Sequence, residues 1–319
     1  MSFVRVVFYR LVLALITLIL LSIIVFAGCQ LLPGDVGRSI LGPFADAQSV
    51  AQLDRQLGLD QPLLLQYWHW MNAMLHGNMG MSYIYHAPVA PFIWHALLNS
   101  LKLAGVAFFL VVPLGIGAGI IAALKRDHWI DHCIVIISLS STVVPEFVSG
   151  IILMMLFGIL WHAFPITATP PQNAGVFTQI YYLIMPSIPL VLLIFGYIAR
   201  MARAGMVDAI SSDYARTAVM KGLSFRQVVW RHLLRNALLP TITVIATQSG
   251  YLIGGLVVVE TLFHYHGIGS LIFTSAKSKD FPMLEAGILV VGITYIVANF
   301  ISDFLYSLLN PRISMGGKS

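Results

Sequence analysis

The sequence predicts an all-α integral membrane protein with six transmembrane helices. Three observations predict it. Of the 319 residues, 58% are hydrophobic and 10% charged, with a mean hydropathy of +0.87; a soluble domain of this length needs far more charge to cover its surface. The apolar residues gather into six runs long enough to cross a bilayer core of about 30 Å. Lipid offers no partners to irregular backbone, so these runs read as helices. Finally, 13 of the 18 Lys and Arg fall on one side of the alternating pattern, and five (Arg38, Arg55, Lys102, Lys277 and Lys279) fall on the other side or at its helix edge. Basic residues collect on the cytoplasmic side, which puts the N- and C-termini there. The net charge of +5 thus reflects topology and gives no reason to expect nucleic acid as a partner.

The first span is expected at about residues 11–29, after Arg5 and Arg10. A signal peptide ending in the FAGC box at Cys29 is the alternative, but 19 apolar residues are long for such a segment and more spans follow. Residues 31–98 form the longest non-spanning region, expected on the extracytoplasmic side. It has turn signals at Pro33-Gly34, Gly42-Pro43 and His76-Gly77-Asn78, and helical spacing of apolar residues from Ala47 to Leu75 predicts short interfacial helices. His69, Met71, Met74, His76, Met79, Met81, His86 and His95 are donors suited to a late first-row metal. No pair has the tight spacing of a metal motif, and Tyr67, Trp68 and Trp70 fit an interfacial belt, so no metal site is assigned. Cys29 and Cys133 are expected near opposite membrane faces, too far apart to pair.

The second span, 99–124, carries Gly115, Gly117, Ala118 and Gly119, a small-residue run that lets helices approach closely. Lys125-Arg126 mark an inner turn. The third span, 132–161, contains Pro145, expected to kink it, and Glu146. A carboxyl within the membrane is costly and marks a pathway or a partner. Pro145 and Glu146 are therefore candidate translocation-path residues, with protonation or a neighbouring-helix partner as the alternative for Glu146. The loop 162–178 has no Lys, Arg, Asp or Glu, as an outer turn should. In the fourth span, 181–199, Pro186 and Pro189 interrupt the hydrogen-bond ladder, a disturbance often found beside a pathway. The fifth span, 239–260, ends at Glu260; 264–283 turn outside; 284–309 form the sixth span. No segment has the makings of a separate soluble core, so 1–319 reads as one transmembrane domain.

Between the fourth and fifth spans, residues 200–238 form a cytoplasmic basic island with seven Lys or Arg against Asp208 and Asp213. Ser211 or Ser212 is placed to cap a short helix that Gly222 would end in a left-handed conformation. Ser224 with Gln227 then makes a capping-box pattern opening a second helix toward Pro240. Tyr214, Ala215, Ala218 and Leu223, flanked by Arg216 and Lys221, are expected to form a small apolar knob. By chemistry alone it would meet either a cytoplasmic protein or anionic lipid headgroups.

This stretch resembles the cytoplasmic EAA loop of ABC-importer permeases in the oligopeptide, dipeptide and nickel family. With Gly222 as the anchor, Arg216-Thr217-Ala218 fall on the Glu-Ala-Ala positions, and the departures follow the peptide and nickel branch. Further landmarks run in order: Leu32-Pro33-Gly34-Asp35, LGLDQPLLLQYWHW at 57–70, HGNMGMSY at 76–83, ALKRDHWIDH at 123–132, VVVETLF at 257–263, KDFP at 279–282 and SDFLYSLLNPRI at 302–313. Two departures stand out. Tyr265-His266-Gly267-Ile268-Gly269 replaces an aromatic-Pro-Gly-Leu-Gly turn, and Glu146 occupies a position usually small or apolar.

The resemblance implies a type I ABC importer permease fold in a bacterial cytoplasmic (inner) membrane. It implies a path for di- or oligopeptides or similar small solutes; import of nickel or a metal chelate is the alternative, and an exporter, ion channel or intramembrane enzyme fits less well. It also implies four kinds of contact: a second homologous permease subunit, two ATP-binding cassette subunits, an extracytoplasmic substrate-binding protein, and membrane lipid. Tyr214, Ala215, Arg216, Thr217, Ala218, Lys221, Gly222 and Leu223 would form the ATPase-coupling helix. No phosphate-loop GxxxxGK[ST] pattern occurs in the chain. The chain is thus expected to be a transport subunit with no catalytic residues and no cofactor, with ATP and Mg in the partner subunits.

Overall fold

The computed structural model describes residues 3–31, 36–42, 44–171 and 173–309. The Leu32-Pro33-Gly34-Asp35 landmark with its Pro33-Gly34 turn, Pro43, and the basic tail at 310–319 lie outside them. In chain order the helices are α1 (Phe3–Leu31), α2 (Val36–Leu41), α3 (Ala47–Leu57), α4 (Leu63–Leu75), α5 (Val89–Leu124), α6 (Trp129–Val143), α7 (Glu146–Leu153), α8 (Val176–Ser211), α9 (Asp213–Met220), α10 (Phe225–Val228), α11 (Leu234–Ala237), α12 (Leu239–Leu262), α13 (Ile268–Ser278) and α14 (Phe281–Leu309). Wider π turns continue α7 over Met154–Leu160 and join α10 to α11 over Val229–Leu233. Among the described residues the fold is all-α, with one isolated bridge between Met81 and Pro88.

Four segments are single helices long and apolar enough to cross a membrane: Phe8–Leu31, Val89–Leu124, Val176–Ser211 and Phe281–Ser302. Two further candidate spans are bent pairs. Trp129–Val143 and Glu146–Leu160 meet at 109°, and Leu239–Gly250 and Gly254–Leu262 at 58°. The first break falls at Val144-Pro145, both extended; proline cannot donate to the ladder, and the residue before it is pushed out of the α region. At 36 residues, α8 is about 54 Å long, far more than a bilayer core. The helix expected to stop at 199 instead continues to Ser211 and carries Arg200 and Arg203 on a stalk.

The chain divides into two compact units. The first comprises Met1–Ser100 and His266–Ile296. Its core joins Val89, Ile93, Ala96 and Leu97 of α5 to Ile268 of α13 and Met283, Ala286 and Val290 of α14. Polar anchors hold its connections. Asp280 accepts from the Ser82 hydroxyl and, at 3.1 Å, from the Tyr83 backbone N–H. Ser100 Oγ accepts from the Ile268 N–H at 2.8 Å, satisfying a donor at the start of α13. The interfacial helices expected between 47 and 75 form as α3 and α4. Asp46 caps α3 through the Ser49 N–H at 2.7 Å, and the two Ser49 bonds hold its carboxyl below the usual carboxylate range. The Tyr67 hydroxyl lies 2.8 Å from Ser22 Oγ, and the Tyr67 and Trp70 rings pack on Phe26.

The second unit comprises Leu101–Tyr265 and Val297–Ser319. Helix α8 is its centre and packs against α6, α7, α11 and α12. Small residues set the spacing. A Cβ on Gly119 would stand 2.4 Å from the Ala199 carbonyl oxygen, and one on Gly115 2.7 Å from Ile198 Cγ2. Gly115 and Gly119 therefore pack against α8, as the small-residue composition suggests. Gly196 brings α8 against α6 in the same way, its added Cβ falling 2.0 Å from the Ser138 carbonyl oxygen. At Gly119 and Gly196 the obstacle is backbone, so a side chain there cannot be accommodated without moving it.

Candidate functional site

Both groups of candidate residues lie in the second unit. The first is built around α9. Ser212 stands at its N-cap position in extended conformation, but its hydroxyl donates back to the Ala209 carbonyl at 2.6 Å rather than capping α9. Gly222 has φ +83, and its N–H bonds the Val219 carbonyl at 2.9 Å, so the expected left-handed stop forms. The capping box of Ser224 and Gln227 forms as well.

The inner face of α9 is made by Ala215 and Ala218, 6% and 8% exposed. They pack with Met206 and Ala209 of α8, Val228, Val229, Leu233 and Ala237. This differs from the expected knob, because the two alanines face inward and fasten the helix to its stalk. Tyr214, Arg216, Thr217, Lys221 and Gly222 are exposed, and Leu223 is half-buried. The exposed apolar side chains are Tyr214, Val219, Met220 and Phe225. Beside them lies a cavity of about 410 Å³ lined by Ile210, Arg216, Val219, Met220, Phe225 and others. The outer surface of α9 is therefore an apolar recess edged by cations, suited to a protein surface carrying an apolar projection and acidic groups.

Below α9 the attachment is close. A Cβ on Gly205 of α8 would stand 2.2 Å from the Ala237 carbonyl oxygen, so α8 and α11 touch backbone to backbone. Arg203, two residues before Gly205, pairs with Asp131 of α6, Nε to Oδ1 at 2.6 Å and Nη2 to Oδ2 at 2.7 Å. Asp131 also accepts the Asp127 N–H at 3.1 Å and is 1% exposed. The sequence reading did not single out this pair. An acid in the first turn of a helix, opposite a basic stalk, is the signal that was available.

The second group lies at the bend of the third span. Pro145 is exposed at the corner, and Glu146, half-buried, is the first residue of α7. Its carbonyl accepts the Ser149 hydroxyl at 2.9 Å. Its carboxylate reaches α12, where a Cβ on Gly255 would be 3.5 Å from Glu146 Oε1. Gly255 also faces Leu190 and Leu193 of α8, and Gly150 of α7 faces Leu262 and Pro189. Two bent helix pairs and the proline-bearing part of α8 thus converge on one carboxylate. The two groups do not meet: Pro189 and Ala209 are 20 residues apart on α8, about 30 Å. Among the described residues no three His, Cys, Asp or Glu come together in a metal-holding group.

Residues 115–315 match the model of the binding-protein-dependent transport system inner membrane component. Residues 3–100 match the N-terminal model of the binding-protein-dependent transport system membrane component. The glutathione transport system permease protein GsiC of Escherichia coli O6:H1 is 38% identical over 297 residues, 93% of this chain and 94% of its own. The protein of that name from Escherichia coli K12 gives the same figures, and that from Shigella boydii is 37% identical over 93% of this chain and 94% of its own. Among solved structures, a chain from one titled "Crystal structure of an amino acid ABC transporter with histidines" aligns with a TM-score of 0.49 at 16% identity, over 70% of this chain and 95% of that one.

Proposed function

The chain belongs to the family of binding-protein-dependent transport system inner membrane components, and from that premise we propose that α9 is where ATP-hydrolysing subunits drive it. The chain is a multi-pass permease subunit of a type I ABC importer. One observation carries the coupling reading. Helix α9 is fastened inward by Ala215 and Ala218 and turns Tyr214, Arg216, Thr217 and Lys221 outward. A helix so built moves with whatever it docks on, and takes its stalk along.

The stalk gives that movement a destination. Displacement of α9 passes through the Met206 and Ala209 packing and the Gly205–Ala237 contact into α8. Helix α8 borders Glu146, Gly150 and Gly255 at its proline-bearing level. Packed helices shift between discrete arrangements rather than deforming continuously. The ATPase subunits need only bind the outward- and inward-facing arrangements with different affinity. Glu146 and Pro145 would border the path, the carboxylate offering a site for a cationic or ammonium-bearing solute.

The rest of the assembly follows from the family. A second homologous permease subunit would complete the path, two ATP-binding cassette subunits would hold ATP and Mg, and an extracytoplasmic binding protein would deliver the solute. Both termini would lie in the cytoplasm, and the membrane would be the bacterial inner membrane. A short peptide is the proposed cargo; the relatives named for glutathione transport make that tripeptide the first one to try. The test is purification of the tagged chain from its own membranes, with the copurifying proteins and bound small molecules identified by mass spectrometry. Recovery of ATPase subunits supports the reading. A chain that conducts solute without them contradicts it.

A further inference from the structure

A separate cavity of about 400 Å³ lies wholly within the first unit, between the C-terminal end of α1, the helices α3 and α4, and the first turns of α14. That is within the size of small-molecule sites. Phe26, Trp70 and Phe281 supply aromatic wall. Glu285, on α14, also lines it and is 6% exposed. Its near neighbour is the Cys29 thiol. Among the described residues no Lys or Arg forms an ion pair with it. A buried carboxylate without a cation is costly, and an ammonium group removes the cost.

The opposite charge is present too. Arg55 is exposed, lines the same cavity, and makes no ion pair among the described residues. The Trp70 ring lines the cavity as well, its indole N–H buried out of reach of it. Between these groups the polar wall is already ordered. Gln66 donates to the Gln61 carbonyl at 2.7 Å and the Leu59 carbonyl at 3.1 Å, and accepts from Gln30 Nε2 at 3.2 Å. Tyr83, also in the wall, has its phenol pushed up to about 12 by burial and by the nearby Glu285 and Asp280 carboxyls, so it remains a neutral donor.

We propose that this cavity binds a small zwitterion, its ammonium on Glu285 and its carboxylate on Arg55. Free amino acids and short peptides share that chemistry. The site uses none of the residues of the α9 or Glu146 groups, and its argument does not draw on the transport reading.

The test is calorimetric titration of the full-length chain in lipid nanodiscs with L-alanine, Ala-Ala, N-acetyl-Ala-Ala and Ala-Ala amide. Saturable binding of L-alanine or Ala-Ala is expected, the tighter of the two identifying the source. Acetylation, or Glu285→Gln, should weaken Ala-Ala at least about tenfold, the loss of one charged hydrogen bond. Arg55→Gln, at an exposed position that leaves folding intact, should weaken Ala-Ala similarly while leaving the amide unchanged. No saturable binding of either zwitterion, equal binding of the acetylated dipeptide, or unchanged Ala-Ala affinity in Arg55→Gln overturns the proposal. Each outcome is independent of whether ATPase subunits copurify.

Discussion

Asp131 and Arg203 join α6 to the stalk of α8 through two parallel bonds of 2.6 and 2.7 Å, the carboxylate 1% exposed and the guanidinium partly open. Planar pairing of this kind fixes orientation as well as distance. The pair stands where the short turn after α5 meets α8, two residues from the Gly205 contact with α11. It therefore holds the base of the stalk on which α9 sits.

Removing the cation while leaving the buried anion is the costly change. Arg203→Met should lower the stability of the detergent-solubilised chain by about 3 kcal/mol, at the low end for a broken buried pair because the guanidinium is partly exposed. Arg203→Lys keeps the charge but loses the two-pronged geometry and should recover only part of it. Thermal unfolding of both variants, with Asp131→Asn and the double variant Asp131→Asn/Arg203→Met closing the cycle, checks this.

Gly119 and Gly117 give an internal contrast. A side chain on Gly119 meets the Ala199 carbonyl and Ala202, whereas one on Gly117 meets nothing within 4 Å. Gly119→Val should cost about 3 kcal/mol, the upper end for overpacking, since the obstacle is largely backbone. Gly117→Ala should be neutral or stabilise by about 0.5–1 kcal/mol through helix propensity. The melting temperatures of the two variants, measured side by side, decide the point.

Much of this was legible in the sequence, for a physical reason in each case. Hydropathy fixes where helices cross because the bilayer penalises unpaired backbone, and the Gly115 to Gly119 run and the Pro145 break follow from local sterics. Gly222 and the Ser224 capping box were readable because caps depend on neighbouring residues only. Asp131 and Arg203 were not, being 72 residues apart with nothing local to pair them. Nor was the inward direction of Ala215 and Ala218, since small residues suit either face of a short helix. The division into two units depends on long-range contacts, and α8 outran its expected end because its polar stalk keeps helical propensity after hydropathy has faded.

At Gly222 the constraint is backbone, not space: φ is +83, and an added Cβ meets nothing within 4 Å. Gly222→Val should therefore cost about 1–2 kcal/mol of left-handed strain, paid locally by fraying of α9. Gly222→Asn, a residue that tolerates this region, should cost less. Amide hydrogen exchange across 213–220 reads the difference: faster exchange in the valine variant is expected, with near-native exchange in the asparagine variant.

Glu146 faces Gly255 across the meeting point of the bent helices. If its charge serves the path, Glu146→Gln should slow uptake of cationic solutes more than neutral ones, by roughly tenfold for a single lost charge interaction. Uptake by whole cells of matched cationic and neutral peptides supplies the comparison. Equal rates to the wild type for both would remove Glu146 from the path.

On the coupling role proposed for α9, the force of ATP hydrolysis enters through its exposed cationic edge. Its most direct test is the ratio of solute moved to ATP hydrolysed in proteoliposomes containing the complete transporter, with wild-type chain or Arg216→Glu. Arg216 is exposed, so the variant should insert and fold normally. The ratio is expected to fall at least about tenfold, the effect of turning an attractive interfacial charge into a repulsive one. An unchanged ratio at normal rates of transport would contradict it.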